Sequence, residues 1–228
     1  NAMDAHIQLQ DRAKRFNFFL KVTGLDADWK MLEEERNDLF RQNISVDWPA
    51  SMNLMNVLFV DTETTGLGKK DQPISLGAIL LAVNRETGRL DHEIGSYYGL
   101  REPTCEISPE SVRVHGLHDT DLRGKDFDYF HISAMFGVAE IVVAHNAAFD
   151  RRMLRFLNIP ETRWACSCYD IRWPADLPSR KLDALCESIG VERRRPHNSL
   201  SDTRAMIAVT QAQRPGGLAY LSDITSRR

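Results

Sequence analysis

Two carboxylates stand two residues apart in the run Val60-Asp61-Thr62-Glu63-Thr64-Thr65-Gly66. On an extended chain, residues i and i+2 leave the same face, so Asp61 and Glu63 present their acids side by side. Such a pair repels itself unless a cation neutralises it. Oxygen donors of this kind suit magnesium or manganese. Taken alone, the pair reads equally well as a strand end whose acids face solvent. Gly66 then lets the chain turn tightly or approach a ligand closely.

Two further segments carry the same chemistry. Ala144-His145-Asn146-Ala147-Ala148-Phe149-Asp150 passes from a buried strand into a helix. Small residues at 147 and 148 let that helix lie close to the sheet, and the first helical turn tolerates an acid. Asp150 thereby falls just beyond a strand's carboxyl end, where α/β sheets build their sites. The last segment is His197-Asn198-Ser199-Leu200-Ser201-Asp202. Pro196 discourages a helix immediately before it, which puts His197 on a loop. Asp202 sits on the helix behind, capped by Ser199 or Ser201. A histidine, with an ordinary pKa of about 6.5, is both neutral and usefully basic near neutral pH.

These groups need a frame that brings distant segments together. Val57-Leu58-Phe59-Val60 reads as a buried central strand, Ile74–Val83 as a second, and residues 90–100 as a third after the turn at Glu86-Thr87-Gly88. The short connections predict an antiparallel meander. Downstream, the pattern alternates: a helix over 128–139, a strand at Ile141-Val142-Val143, a helix over 147–157, a strand near 164–170, and helices near 181–189 and 202–213. The result is a mixed sheet covered by helices. Ahead of it, apolar spacing predicts a helical hairpin over 4–44, a stabilising appendage. Asn1-Ala2 before Met3 reads as a tag remnant.

With those residues in place, the three segments resemble the Exo I, Exo II and Exo III motifs of the DEDDh (DnaQ-like) exonuclease superfamily. That group includes the proofreading epsilon subunit of bacterial DNA polymerase III and ribonuclease T. D-x-E appears as Asp61 and Glu63, the middle acid as Asp150, and H-x(4)-D as His197 and Asp202, the histidine rather than the tyrosine branch. The resemblance spans about residues 56–213. It implies a ribonuclease H-like fold with a five-stranded mixed sheet, an N-terminal helical extension over 1–50 and a tail over 214–228.

The implied activity is 3′→5′ hydrolysis of a single-stranded nucleic-acid end, with release of 5′-mononucleotides. Asp61, Glu63, Asp150 and Asp202 would hold two Mg2+ or Mn2+ ions. Asp61 would bridge them, and His197 would take the proton from water. The resemblance places Thr65, Gly66 and Leu67 along the terminal nucleotide, with the Leu67 side chain on its base. His115, in Val114-His115-Gly116-Leu117, and Asn146 would contact sugar or base. Arg193-Arg194-Arg195 reads either as a guide for phosphates or as a solvated turn. Lys181-Leu182-Asp183-Ala184-Leu185-Cys186 resembles a helix of epsilon-type members. It tilts the reading towards DNA and a proofreading-like role, with a polymerase partner possible. RNA trimming is the alternative, and a non-catalytic nucleic-acid scaffold is a more distant one.

Composition is compatible with all of this and selects none of it. The 228 residues carry a formal charge of −3 and are 43% hydrophobic, which fits a globular domain. Long duplex held nonspecifically would call for a more basic chain, although cations bound at an acidic site reverse the charge locally. No apolar run reaches the roughly 20 residues of a membrane span, and the start lacks a signal-peptide pattern. Cys105, Cys166, Cys168 and Cys186 lack zinc-knuckle spacing and read as reduced thiols of a cytoplasmic protein.

Overall fold

A computed structural model describes residues 53–157, 159, 162–193 and 195–227. The hairpin expected over 4–44 lies outside the described residues. The sheet has five strands: β1 (Leu54–Thr64), β2 (Pro73–Asn84), β3 (Leu90–Leu100), β4 (Ile141–Ala144) and β5 (Arg163–Cys166). Their order is β3-β2-β1-β4-β5. The first three form the antiparallel meander, while β4 and β5 run parallel to β1. This is the mixed, ribonuclease H-like sheet expected from the sequence.

Local chemistry explains the connections. Asn84 turns β2 into β3 by accepting the N–H groups of Glu86 and Thr87 on its side-chain oxygen, at 3.1 and 2.9 Å. Gly88 supplies the left-handed φ of 67° that this turn needs. Parallel strands cannot be joined by a tight turn. Helices therefore make the crossovers: α3 (Tyr129–Val138) before β4 and α4 (Ala147–Met153) after it. The run 147–157 is not one helix, because α4 passes at Leu154 into a 3-10 turn ending at Leu157. Two short helices precede α3. In α1 (Pro109–His115), Ser108 caps the start, Pro109 opens the first turn and Gly116 ends it in a left-handed conformation. The second, α2, spans Asp119–Leu122.

Alternation along β1 sends Val57 and Phe59 to one side, Leu58 and Val60 to the other, all fully buried. The Val57–Phe59 face packs against α5 (Leu182–Ile189) and α6 (Ser199–Gln211), through Leu185, Met206 and Val209. Followed two residues at a time, that face ends in Asp61 and Glu63. The core therefore delivers the two acids.

The stretch read as a tail belongs to the same core. Tyr220, Leu221 and Ile224 are buried around α7 (Ser222–Thr225). Asp223 accepts from Arg214 at 2.8 Å and from Arg172 at 2.6 Å. Burial alone would raise the Asp223 carboxyl, yet the two guanidinium groups hold it far below the usual range. The segment is too short for apolar periodicity to show in the sequence. All four cysteines are free. Among the described residues, no helix is long and apolar enough to cross a membrane.

Candidate active site

The site forms where β1 ends. Immediately after Glu63 the register of β1 against β2 shifts, a bulge of the kind that re-aims side chains. Asp150 enters from the first turn of α4, buried, and accepts a 2.8 Å hydrogen bond from the Thr62 hydroxyl. Asp202 enters from the first turn of α6. Asn198 caps that helix, its side chain accepting from Ser201 N at 3.1 Å. Ser199 is instead buried against Ser75, 2.6 Å between hydroxyls.

What brings Asp202 to the other acids is a missing side chain. Gly77 lies opposite Asp61 in the β1–β2 register. A Cβ there would collide with the backbone of Ser199 and Leu200, standing 2.5 Å from Leu200 Cα. The bare strand lets α6 lie directly on β2, and the Thr203 hydroxyl reaches the Gly77 carbonyl at 3.2 Å. Asp202 is carried on the same turn.

The electrostatics record the crowding. Burial raises Asp61 well above the ordinary carboxylate value, and the charges of Asp150, Glu63 and Asp202 push it further. Glu63 rises to about 8 through burial, Asp202 and Asp150. Asp150 rises to about 7 through burial, against the lowering pull of its hydrogen bonds. Arg193 pulls the other way on Asp61 and Glu63. Its guanidinium forks onto Asp202, Nε to Oδ1 at 3.1 Å and Nη2 to Oδ2 at 2.6 Å, and also pairs with Asp183 of α5. The Arg193 side chain is only 11% exposed. It is therefore neither a phosphate guide nor a solvated turn, but an internal counter-cation. Arg195 is exposed in a left-handed conformation.

His197 is exposed, with φ of 62°, and its N–H donates to Asp202 Oδ2 at 3.0 Å. Ligand-capable atoms of Glu63, His197 and Asp202 lie within 4.8 Å of one another. The imidazole thus stands among the acids, while Asp61 and Asp150 flank that trio.

The expected substrate-side residues divide. Leu67 is 79% exposed at the rim. His115 joins the site, Nε2 lying 3.3 Å from the Thr64 carbonyl while Nδ1 accepts from Leu117 N at 3.0 Å. Burial, with the nearby His197 and His118, holds it below its ordinary pKa. Asn146 is exposed at the β4–α4 turn with φ of 68°, a conformation asparagine tolerates.

The Thr65 side chain faces the interior. It is wholly buried, its hydroxyl donating to Asp71 Oδ1 at 2.9 Å and accepting from Gln72 N at 3.0 Å. Its backbone pairs with Gln72 and Ser108. Gly66 is likewise buried, because a Cβ there would stand 2.7 Å from the Asp71 carboxylate. Threonine and glycine here build the loop that lifts Leu67.

With this geometry established, the likenesses to known proteins acquire a meaning. Residues 58–210 match the exonuclease family of the ribonuclease T type. Over 196 residues the chain is 29% identical to a PolC-type DNA polymerase III of Thermotoga petrophila, covering 80% of this chain but 14% of that protein. The counterpart in Thermotoga maritima is 29% identical over 178 residues, covering 72% of this chain and 12% of the polymerase. The chain thus spans a small fraction of the curated relatives it matches. E. coli exonuclease I in complex with a dT13 oligonucleotide shares the fold with a TM-score of 0.55 and 22% identity, over 69% of this chain and 40% of that one. Exonuclease X in complex with 5′ overhanging duplex DNA does so with a TM-score of 0.53 and 23% identity, over 74% of this chain and 99% of that one. Since the family match takes in more than half of the chain and spans all three acidic segments, this protein belongs to the exonuclease family, in the DEDDh-type superfamily of 3′→5′ exonucleases.

Proposed function

We propose that the chain is a divalent-cation-dependent 3′→5′ exonuclease. It shortens a single-stranded nucleic-acid end, DNA in preference to RNA, and releases 5′-mononucleotides. The observation that carries this reading is the meeting of Asp61, Glu63, Asp150 and Asp202, from three distant segments, with three of them held above the ordinary carboxylate range. Carboxylates in that state are short of positive charge, which fits a site for Mg2+ or Mn2+. The donor set is oxygen-rich, as those ions require.

In this reading Asp61, Glu63 and Asp202 hold the ions, and Asp150, oriented by Thr62, supports them. Bound there, two divalent ions supply Lewis acidity to the phosphate and to the attacking water. In this reading His197, exposed beside Glu63 and Asp202, accepts on its imidazole the proton that water gives up. Leu67 stands free to lie against the terminal base, and His115 stands by the end of β1, 3.3 Å from the Thr64 carbonyl. The phosphate chemistry does not involve the 2′ hydroxyl. The preference for DNA rests instead on the DNA-bound neighbours and the polymerase relatives, which also support a proofreading-like role with a polymerase partner.

Single-stranded DNA and RNA of one sequence, labelled at the 5′ end, test this with Mg2+ or Mn2+ present. The expected result is a ladder retreating from the 3′ end, faster for DNA. Intact oligonucleotides in Mn2+ across about pH 7–9, or immediate release of the 5′ label as a mononucleotide, overturns the reading. Faster loss of RNA moves the substrate preference to RNA.

A further inference from the structure

Beside the acidic site lies a pocket of about 360 Å3 with the opposite character. Lys69, Arg101, Arg152 and Arg155 line it against a single acid, Asp71. Arg101 is already paired, 3.7 Å from Asp126, which leaves Lys69, Arg152 and Arg155 as a local concentration of positive charge in a chain of net charge −3. Asp71 offers little to neutralise it, because its oxygens already accept from the Thr65 hydroxyl at 2.9 Å and from Gly68 N at 2.5 Å. Arg152 donates to the Leu67 carbonyl at 3.0 Å. Among the described residues, Lys69 and Arg155 are exposed and make no side-chain hydrogen bond or ion pair.

The pocket also has an aromatic face. Phe156 is 45% exposed, and the Arg101 guanidinium lies 4.8 Å from its ring centroid. Cations that meet phosphate beside a ring on which a base can stack are the parts of a single-strand platform.

Its position relates it to the carboxylates. The segment that carries Glu63 runs through Leu67 to Lys69, and the segment that carries Asp150 runs on to Arg152, Arg155 and Phe156. One pair of segments therefore frames both places, with the exposed Leu67 on the stretch between them.

The geometry points to a second nucleotide subsite: this pocket takes a phosphate and its base from nucleic acid outside the acidic site, and holds it without cutting. The assignment rests on the exonuclease reading. Two sources present the same chemistry, the upstream part of the strand being shortened and the complementary strand of a duplex.

The double variant Lys69→Glu with Arg155→Glu, and separately Phe156→Ala, test it. Three substrates are used with Mn2+: the p-nitrophenyl ester of thymidine 5′-phosphate, a single-stranded 12-mer, and a duplex with a 3′ end to be shortened. Oligonucleotide binding is read in parallel by fluorescence anisotropy. The small ester reaches only the acidic site, so its hydrolysis stays within about twofold of wild type. Binding and turnover of at least one oligonucleotide fall about tenfold or more, and the log–log salt slope drops by about 1.4–1.8 for two lost cations. A loss on the single strand assigns the pocket to the upstream strand, and a loss confined to the duplex assigns it to the complementary strand.

Equal losses on ester and oligonucleotides, or no loss of oligonucleotide binding in either variant, overturn the subsite. Should wild type cleave no substrate, the exonuclease reading fails. The anisotropy comparison then still decides whether the pocket binds nucleic acid.

Discussion

Replacing Gly77 with alanine adds one methyl group where α6 rests on β2. That carbon would stand 2.5 Å from Leu200 Cα, whereas ordinary contact begins near 3.4 Å. Both neighbours are backbone, so no side chain can swing aside and the helix must withdraw by about 1 Å. Overpacking of this kind costs about 1–3 kcal/mol. For a protein of this size that lowers Tm by about 2–12 °C. Asp202 lies two residues beyond Leu200 on the same helix and retreats from Glu63 with it. A displacement of about 1 Å in a positioning group costs about 10²-fold in rate. Gly95, in β3, is the control, since a Cβ there meets nothing within 4 Å. Melting in EDTA and turnover of a 3′-labelled oligonucleotide are measured for both variants. Gly77→Ala should lose both stability and about two orders of magnitude in kcat, while Gly95→Ala keeps wild-type turnover. A Gly77→Ala protein that melts lower yet turns over normally would refute the claim that this contact positions Asp202.

Other consequences follow from the same charges. Asp61, Glu63 and Asp150 have folded-state values above those of an unfolded chain, so the folded protein binds their protons more tightly. Metal-free protein should therefore lose stability as pH rises from the ordinary range, 3.8–4.5, to about 8. Asp61→Asn should flatten that decline and raise the Tm at pH 8; a flat wild-type profile in EDTA would contradict the crowding. Arg193→Gln removes the fork on Asp202, a charge-assisted interaction of about 1.5–3 kcal/mol. Calorimetric titration should then show Mn2+ binding at least about tenfold tighter in a less stable metal-free protein. Unchanged or weaker binding would mean that the guanidinium orients Asp202 rather than competing with the ion. Asp223→Ala leaves the largely buried Arg214 guanidinium without its carboxylate, while the exposed Arg172 stays solvated, and should cost about 3 kcal/mol with kcat unchanged. A silent substitution there would detach the 214–225 segment from the fold.

The acids were legible in the sequence because their types and spacing encode their chemistry. Strand alternation puts Asp61 and Glu63 on one face, and a strand-to-helix junction puts Asp150 at a sheet end. The residues that assemble them carry no such mark. Gly77 acts through an absent side chain, and nothing in the run Ser75-Leu76-Gly77 announces a helix lying on it. Arg193 read as one of three adjacent arginines, and only the fold shows it reaching Asp183 and Asp202 together. Thr65 was placed towards substrate by the family resemblance, yet the loop turns its hydroxyl onto Asp71. The basic pocket draws on positions 69, 101, 152 and 155, which no local window contains. The short helix α1 had visible caps at Ser108-Pro109 and Gly116, but it and α2 have too few turns for apolar periodicity.

Crystals soaked in Mn2+ and measured at the manganese absorption edge show whether carboxylates from distant segments form one divalent-cation site. Anomalous peaks are expected among Asp61, Glu63, Asp150 and Asp202, and are lost when Asp61 is replaced by asparagine. Saturating manganese with no peak at those carboxylates, in a protein that still shortens DNA, would contradict such a site.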